Sequence, residues 1–311
     1  MSEARAPQPS TPVNFDVPAG ACDCHAHIFG PPDRFPFVAK RLYTPPPALP
    51  EELAAMHRFC HYERVVVVTP SFYGSDNHAT HYGMAAFPGT ARGVAVIDEN
   101  TPEKELEKLR AGGVRGIRLG FAMASVTDPG PAQKQLKFAI DRAKAYGWHI
   151  QLYADPKLLG ALKETFAAAP VTFVFDHFAG TTAELGLEQP GLADVLELVR
   201  SGKAYVKIGP DRAWAYPEPG PRAKPNYAAI VPLAKAFIAA NPDRIVWGTD
   251  WPHPSPSPLP GKKFSDVNED YPIDDGDMLN QLPKWAPDAA LREKILVTNP
   301  ARLYDFPPVT K

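Results

Sequence analysis

The sequence predicts an α/β fold, namely a single (β/α)8 TIM barrel within its 311 residues. Short apolar runs alternate with segments of helical periodicity about eight times along the chain. Some runs are β-branched throughout, as at residues 65–68, which is typical of parallel strands buried on both faces. Eight strand–helix units at this length favour closure into a barrel. An open doubly wound sheet is the alternative, but its glycine-rich phosphate turn is missing after the first apolar run.

The strands are predicted from apolar runs that end at turn-forming residues. In chain order they occupy residues 22–29, 64–71, 93–98, 114–120, 148–154, 171–178, 204–208 and 244–250.

The helices are predicted from apolar residues repeated at helical spacing. The clearest spans 132–146, where Leu136, Ala139 and Ala143 share a face and Gly147 follows as the usual C-terminal cap. The others are expected near 50–62, after 77, and at 102–110, 156–168, 191–201, 227–240, 277–285 and 287–296.

Composition excludes several classes of protein. The formal net charge is -2, so no basic field predicts a nucleic-acid partner. No apolar run reaches the roughly 18 residues of a membrane span, and the N-terminus has no apolar signal-peptide core. Residues 1–18 are predicted to be a flexible leader, and 19–311 a single catalytic barrel domain.

Three cysteines, an odd and sparse number, indicate a reducing compartment and hence a cytoplasmic protein. Cys22 and Cys24 lack the spacing of zinc knuckles or redox pairs, and are expected to fill the barrel wall.

His25 and His27 stand out because they lie two residues apart on the first predicted strand. Residues at i and i+2 of a strand share a face, so both imidazoles project the same way. Such a pair can ligate a metal ion or polarise a substrate oxygen. The alternative is two histidines hydrogen-bonded to backbone in a polar loop.

More polar residues follow the other strands, at the end of a barrel where active sites lie. Burying them costs desolvation energy unless they serve a site. Asp250 could instead cap a turn, and His177 could be a hydrogen-bonded core histidine. Lys207 is expected on the opposite face of its strand, in a structural pair. The candidates are Tyr43, Ser71, Arg118, Tyr153, His177, Asp250 and, in a loop, Arg212.

Several motifs resemble the amidohydrolase superfamily: His25-Ala26-His27, His177 after strand six, residues 249–253, and the late segment 299–304. More narrowly, residues 23–31, 43–45 and 74–77 are similar to the 2-pyrone-4,6-dicarboxylate lactonase family. The resemblance extends from about residue 21 to residue 306.

The resemblance implies a hydrolase that opens a carboxylated lactone during aromatic-compound catabolism. Asp250 would be the general base toward water, and His25, His27 and His177 would polarise the lactone carbonyl. Arg118 would hold a substrate carboxylate, with Arg212 in a similar role. Tyr43, Ser71 and Tyr153 would line the pocket. The oligomeric state is left open.

Two departures from the family pattern limit these expectations. Strand five offers Gln151 and Tyr153 where metal-dependent members usually have a histidine, which argues against a binuclear site. The lactonase resemblance implies catalysis without metal, although one Zn²⁺ on His25, His27, His177 and Asp250 stays open. The second arginine expected shortly after Arg118 is missing, so the substrate carries fewer anionic groups or holds them differently.

Two other functions are compatible with these residues. One is a metal-dependent decarboxylase of the same superfamily, and the other is a non-catalytic barrel that binds an anionic metabolite.

Overall fold

The computed structural model describes residues 6–209, 226–255 and 261–309, and Arg212 lies outside this part of the chain. Its sheet contains eight parallel strands, each paired with the next in chain order. They are β1 Cys22–Ala26, β2 Arg64–Val68, β3 Ala91–Ala95, β4 Val114–Leu119, β5 His149–Leu152, β6 Phe173–Phe175, β7 Ala204–Lys207 and β8 Ile245–Val246.

The first and last strands meet through isolated hydrogen bonds. The Cys24 amide donates to the Trp247 carbonyl at 2.9 Å, and the Asp250 amide donates to the His25 carbonyl at 2.8 Å. These contacts bring the sheet nearly to closure, and the (β/α)8 prediction is confirmed.

Helices connect successive strands and lie outside the sheet. They are α1 Pro50–Cys60, α2 His78–Ala85, α3 Glu103–Ala111, α4 Pro129–Tyr146, α5 Pro156–Ala161, α6 Lys163–Ala168, α7 Leu192–Arg200, α8 Tyr227–Ala240, α9 Asp275–Leu279, α10 Leu282–Trp285, α11 Ala289–Glu293 and α12 Asn299–Tyr304. Within the described ranges, none of them is long and apolar enough to cross a membrane.

Alternation along the strands divides the core into two layers. Val66 and Val68 of β2 face the barrel interior, while Val65 and Val67 pack under the helices, so this strand is buried on both faces as predicted. Phe306 belongs to the interior layer and lies beside Arg64, near the amino end of β2. Apolar side chains therefore fill the barrel interior at the amino ends of the strands, and the polar residues lie at the carboxyl ends.

Every predicted strand ends earlier in the structure, and left-handed backbone follows two of them. β6 stops at Phe175, and His177, Phe178 and Ala179 have φ angles of 49°, 53° and 57°. β8 stops at Val246, and Asp250 has a φ of 62°. L-residues seldom adopt this left-handed backbone, and it costs roughly 1–3 kcal/mol where it occurs. At these two points the backbone leaves the hydrogen-bonded sheet, and its left-handed conformation orients the side chains of His177 and Asp250.

The C-terminal helices are also shorter than predicted. The expected helix 277–285 is divided into α9 and α10, because Pro283 has no amide hydrogen for a continuous helix. The expected helix 287–296 is α11 followed by a π-helical turn at Lys294–Thr298.

The predicted flexible leader is, over residues 6–18, hydrogen-bonded to the barrel. The Ser10 and Thr11 hydroxyls donate to Asp274 at 2.7 and 3.0 Å. The Trp251 indole donates to the Pro7 carbonyl at 3.1 Å. These partners are more than 200 residues away along the chain, so no local sequence pattern predicts them. The domain boundary at residue 19 stays a prediction.

Candidate active site

The histidines of the first strand reach the barrel interior through an irregularity in the strand. Cys22 and Cys24 face the interior, and the register with β2 then shifts between Asp23 and Ala26. After this shift His25 and His27 are both buried, with ring centroids 4.9 Å apart. A side chain at Gly248 would come within 2.7 Å of the His25 Cβ, so glycine leaves room for this ring.

Asp250 faces both imidazoles from the end of β8. Its Oδ1 lies 3.4 Å from His25 Nε2 and 3.1 Å from His27 Nε2. His27 Nδ1 lies 2.7 Å from the Val68 carbonyl oxygen, which can only accept a hydrogen bond. The His27 ring proton is therefore on Nδ1, and the Nε2 lone pair faces Asp250.

His177 and Tyr153 complete the wall of rings. The His177 centroid lies 4.8 Å from that of His25 and 4.9 Å from that of Tyr153. The left-handed backbone at His177 turns its side chain into this group. Three predicted imidazoles are thus brought together.

A buried ionic network lies beside His25, and it corrects one expectation. Lys207 does not point away from the site: its Nζ lies 2.7 Å from Gln151 Oε1 and 3.2 Å from Asp176 Oδ1. Gln151 Nε2 in turn donates to Asp176 Oδ2 at 3.0 Å. The alternation of side chains along β7 explains this position. Tyr205 faces the interior, and Lys207, two residues further along the strand, shares its face.

This network controls the charges of the site. Burial alone would raise the pKa of Asp176, but the Lys207 ammonium, His25 and the Arg118 guanidinium together outweigh it and hold the pKa well below its ordinary value. Burial lowers the pKa of His25 and of His27, and Lys207 adds to the effect at His25. At neutral pH Asp176 is therefore ionised, and both imidazoles are neutral.

Arg118 projects from β4 into the same region. Its guanidinium donates to the Thr69 carbonyl at 3.3 Å, and its Nε lies 3.5 Å from Asp176 Oδ2. The residue is largely buried, so a planar cation is held at the pocket wall.

The predicted residues line a small cavity of about 30 Å³ at the carboxyl end of the barrel. Ser71, Arg118 and Met123 also border a second cavity of about 290 Å³, whose rim includes Lys40 and Arg41. His25 lies behind the first cavity. The predicted residues on its wall are His27, Tyr43, Ser71, Arg118, Tyr153, His177 and Asp250.

Asp23 is a site residue that the sequence did not indicate. Its carboxylate accepts from the Thr249 amide at 2.9 Å, the Thr249 hydroxyl at 2.7 Å and the His25 amide at 3.1 Å. His57 Nε2 lies 3.3 Å from the same carboxylate. Asp23 therefore holds the residues before Asp250 against β1.

Two groups of side chains bring metal-ligating atoms together: His25 with His27 and Asp250, and His25 with Asp176 and His177. The His27 lone pair and the Asp250 carboxylate suit a divalent cation. The surroundings of His25 suit it poorly, because the Lys207 ammonium lies 3.3 Å from His25 Nδ1 and pairs with Asp176. A cation that used either group would meet this fixed positive charge.

Fold and site together indicate a class: barrel enzymes with histidine and aspartate side chains gathered at the carboxyl ends of the strands. A family model described as amidohydrolase matches residues 22–306, and the chain belongs to this family. The expectation of an enzyme of the amidohydrolase superfamily is thereby confirmed.

Similar proteins cover nearly the whole chain. A 2-pyrone-4,6-dicarboxylate hydrolase from Comamonas testosteroni is 35% identical, with 95% of this chain and 93% of the relative covered. A 4-sulfomuconolactone hydrolase from Rhizobium radiobacter is 33% identical at the same coverage. A D-galactarolactone isomerase from Agrobacterium fabrum is 30% identical, with 99% of each chain covered. Among solved structures, an apo protein from Agrobacterium tumefaciens has a TM-score of 0.75 at 26% identity, covering 94% and 98% of the two chains.

Proposed function

We propose that the protein hydrolyses the ring ester of an anionic lactone. The observation that carries the proposal is the convergence of Asp250, Arg118 and the imidazoles of His27 and His177 on one cavity, with the His25 ring directly behind it. The names of the Comamonas and Rhizobium relatives support this choice, because both are hydrolases of anionic lactones. Both names are consistent with a role in the breakdown of aromatic compounds.

The proposed reaction begins with water held against Asp250. The carboxylate takes one proton from the water as its oxygen bonds to the lactone carbonyl carbon. A ring N–H of an imidazole donates to the carbonyl oxygen as negative charge develops on it. The C–O bond of the ring then breaks, a carboxylic acid forms, and the departing ring oxygen takes up the proton that Asp250 removed from the water, which restores the carboxylate.

His27 has a distinct part in this scheme. Its Nε2 lone pair faces Asp250 Oδ1 at 3.1 Å, so two acceptors face each other in the resting site. The proton removed from water lies between Asp250 Oδ1 and His27 Nε2, and the two atoms share it in a hydrogen bond. His27 therefore supports the base, and the carbonyl is left to the other imidazoles.

The cavities suggest how an anionic substrate binds. A volume of about 30 Å³ holds only roughly two waters, so a substituted ring must extend past Arg118 into the cavity of about 290 Å³. There Lys40 and Arg41 supply positive charge at the rim. These side chains take the place of the missing second arginine and bind a second anionic substituent.

The proposal is tested with purified protein and 2-pyrone-4,6-dicarboxylate, alongside an uncarboxylated pyrone as the matched control. We expect ring opening with release of one acid equivalent from the dicarboxylate and little turnover of the control. Release of carbon dioxide would indicate the decarboxylase instead. Conversion to another lactone without acid release would indicate an isomerase, the activity for which the Agrobacterium fabrum relative is named.

Metal dependence is tested in the same assay. Because Lys207 opposes a cation at His25, we expect the rate to survive prolonged chelation and the metal content to be far below one ion per chain. Loss of activity on chelation and its return with Zn²⁺ would contradict catalysis without metal.

A further inference from the structure

The ammonium of Lys207 is surrounded by acceptors. Within hydrogen-bond reach of its Nζ are Gln151 Oε1 at 2.7 Å, Asp176 Oδ1 at 3.2 Å and His25 Nδ1 at 3.3 Å. An ammonium has three donors and no acceptor. The contacts to Gln151 and His25 have hydrogen-bond geometry, and the contact to Asp176 is an ion pair. The side chain is buried, and water does not compete for these contacts.

His25 Nδ1 has two neighbours at the same distance. Asp176 Oδ1 and Lys207 Nζ each lie 3.3 Å away. Only the contact to Lys207 has hydrogen-bond geometry, since Asp176 Oδ1 has no hydrogen-bond partner within the described part of the chain. Because an ammonium can only donate, His25 Nδ1 accepts, and the ring proton belongs on Nε2.

We propose that Lys207 is a positioning residue that fixes His25 as the tautomer protonated on Nε2. His25 then presents an N–H to the substrate carbonyl and is withheld from any metal ion. The catalytic half of this statement rests on the proposed lactone hydrolysis, whereas the tautomer itself does not.

The surroundings of His25 Nε2 support this assignment. The atom is buried and has no hydrogen-bond partner among the described residues, and Asp250 Oδ1 lies 3.4 Å from it. An unmatched N–H directly behind the cavity costs free energy in the resting enzyme, and a developing oxyanion would supply the missing acceptor.

The two histidines of one short motif therefore present opposite groups to the substrate. His27 donates from Nδ1 to the Val68 carbonyl and shows a lone pair to Asp250. His25 accepts at Nδ1 from Lys207 and shows a proton. One ring assists the base and the other stabilises the oxyanion, a division that the sequence pattern alone does not reveal.

The test is ¹⁵N NMR of histidine-labelled, full-length protein, because protonated and lone-pair ring nitrogens have widely separated shifts. The His25 and His27 signals are assigned by their loss in His25→Gln and His27→Gln. In the native protein we expect a proton on Nε2 of His25 and on Nδ1 of His27. A proton on Nδ1 of His25 in the native protein overturns the proposal, and this reading needs no variant at Lys207.

Two further readouts use Lys207→Met, with Lys203→Met as the matched control. Lys203 lies just before β7 and donates to the Ala169 carbonyl, away from the site. In Lys207→Met we expect the His25 proton to move to Nδ1, facing Asp176, and Zn²⁺ to bind at least tenfold more tightly. We also expect kcat to fall about 100-fold with little change in KM. An unchanged tautomer and unchanged Zn²⁺ affinity in a folded Lys207→Met protein would contradict the role of Lys207.

The outcomes separate the two proposals. If His25 has the expected tautomer but no anionic lactone is hydrolysed, the proposed function fails and the positioning role of Lys207 stands. If lactones are hydrolysed while His25 carries its proton on Nδ1, the proposed function stands and the positioning role of Lys207 fails.

Discussion

At the residue scale, the site depends on a few side chains whose neighbours determine what each can do. Asp250 faces two imidazoles that are neutral at neutral pH, and Arg118 lies between two cavities. Burying each of these polar groups costs desolvation free energy, so each needs a hydrogen bond or ion pair from a neighbouring residue or from the substrate. The predictions at this scale concern single side chains.

Asp250→Asn keeps the size of the side chain and removes the proposed base. We expect kcat for lactone hydrolysis to fall by roughly 100-fold or more, because general base catalysis contributes on that scale. Steady-state kinetics provide the measurement. Asp266→Asn, at an exposed carboxylate that accepts from the Lys263 amide, is the control and should leave the rate unchanged. Near-normal turnover in Asp250→Asn would remove this residue from the mechanism.

Arg118→Gln tests the anion clamp. Loss of a charged hydrogen bond costs about 1.5–3 kcal/mol, so KM for a dicarboxylate lactone should rise about tenfold or more. The increase in KM should be smaller for a lactone without carboxylates, because such a substrate has no anionic group for Arg118 to bind. Arg142→Gln, at a surface arginine paired with Glu103, is the matched control. Equal effects on both substrates would argue that Arg118 serves the structure alone.

At the element scale, the ends of the strands determine the geometry of the site. β6 and β8 stop early and continue in left-handed backbone, which directs His177 and Asp250 inward. β1 changes register so that both of its histidines are buried. Asp23 then joins β1 to the segment that follows β8.

Asp23→Asn should weaken this junction. The Thr249 amide donates to one oxygen of the carboxylate and the Thr249 hydroxyl to the other. Asparagine keeps only one of these two acceptors, so we expect the free energy of unfolding to fall by about 1–3 kcal/mol. Because Thr249 precedes Asp250, kcat should also fall. Urea unfolding and steady-state kinetics measure the two effects, with Asp33→Asn, at an exposed loop residue, as the control. Unchanged stability and kcat would show that the junction does not depend on the carboxylate.

Sequence reasoning reached the elements more readily than their ends. Continuous apolar runs such as that of β2 predict buried parallel strands, and His25, His177 and Asp250 follow from polar residues at the ends of such runs. The face expected for Lys207 was wrong, although its pairing was expected, because assigning the face requires knowing which residues of β7 point inward. Asp23 was missed because its partners come from the other end of the chain.

At the scale of the whole molecule, a buried histidine below the site couples stability to pH. Burial lowers the pKa of His149 to about 3, and a side chain at Gly116 would come within 2.3 Å of its ring. The unfolded chain, with an ordinary value near 6.5, binds a proton between about pH 6.5 and pH 3 that the folded chain does not. Stability therefore falls as the pH falls through this range and is unaffected above it.

His149→Leu should reduce this acid sensitivity. The native protein should lose more than about 1 kcal/mol of unfolding free energy per pH unit below 6.5 from this residue alone. His25 and His27 contribute in the same direction, so the variant should keep part of the slope. Urea unfolding at pH 7 and pH 5 gives the measurement, and His78→Gln, at an exposed imidazole, is the control. Equal losses in native protein and His149→Leu would contradict the assignment.

The hydrogen bond from the Trp251 indole to the Pro7 carbonyl has a practical consequence. Trp251 is the immediate neighbour of Asp250, so the surroundings of the proposed base extend to within a few residues of the amino terminus. A purification tag or a truncation that displaces Pro7 would remove this hydrogen bond and alter the surroundings of the proposed base. Comparisons of catalytic rate between variants are sound only when all of them share the same first residues, and a tag at the other end is the safer choice.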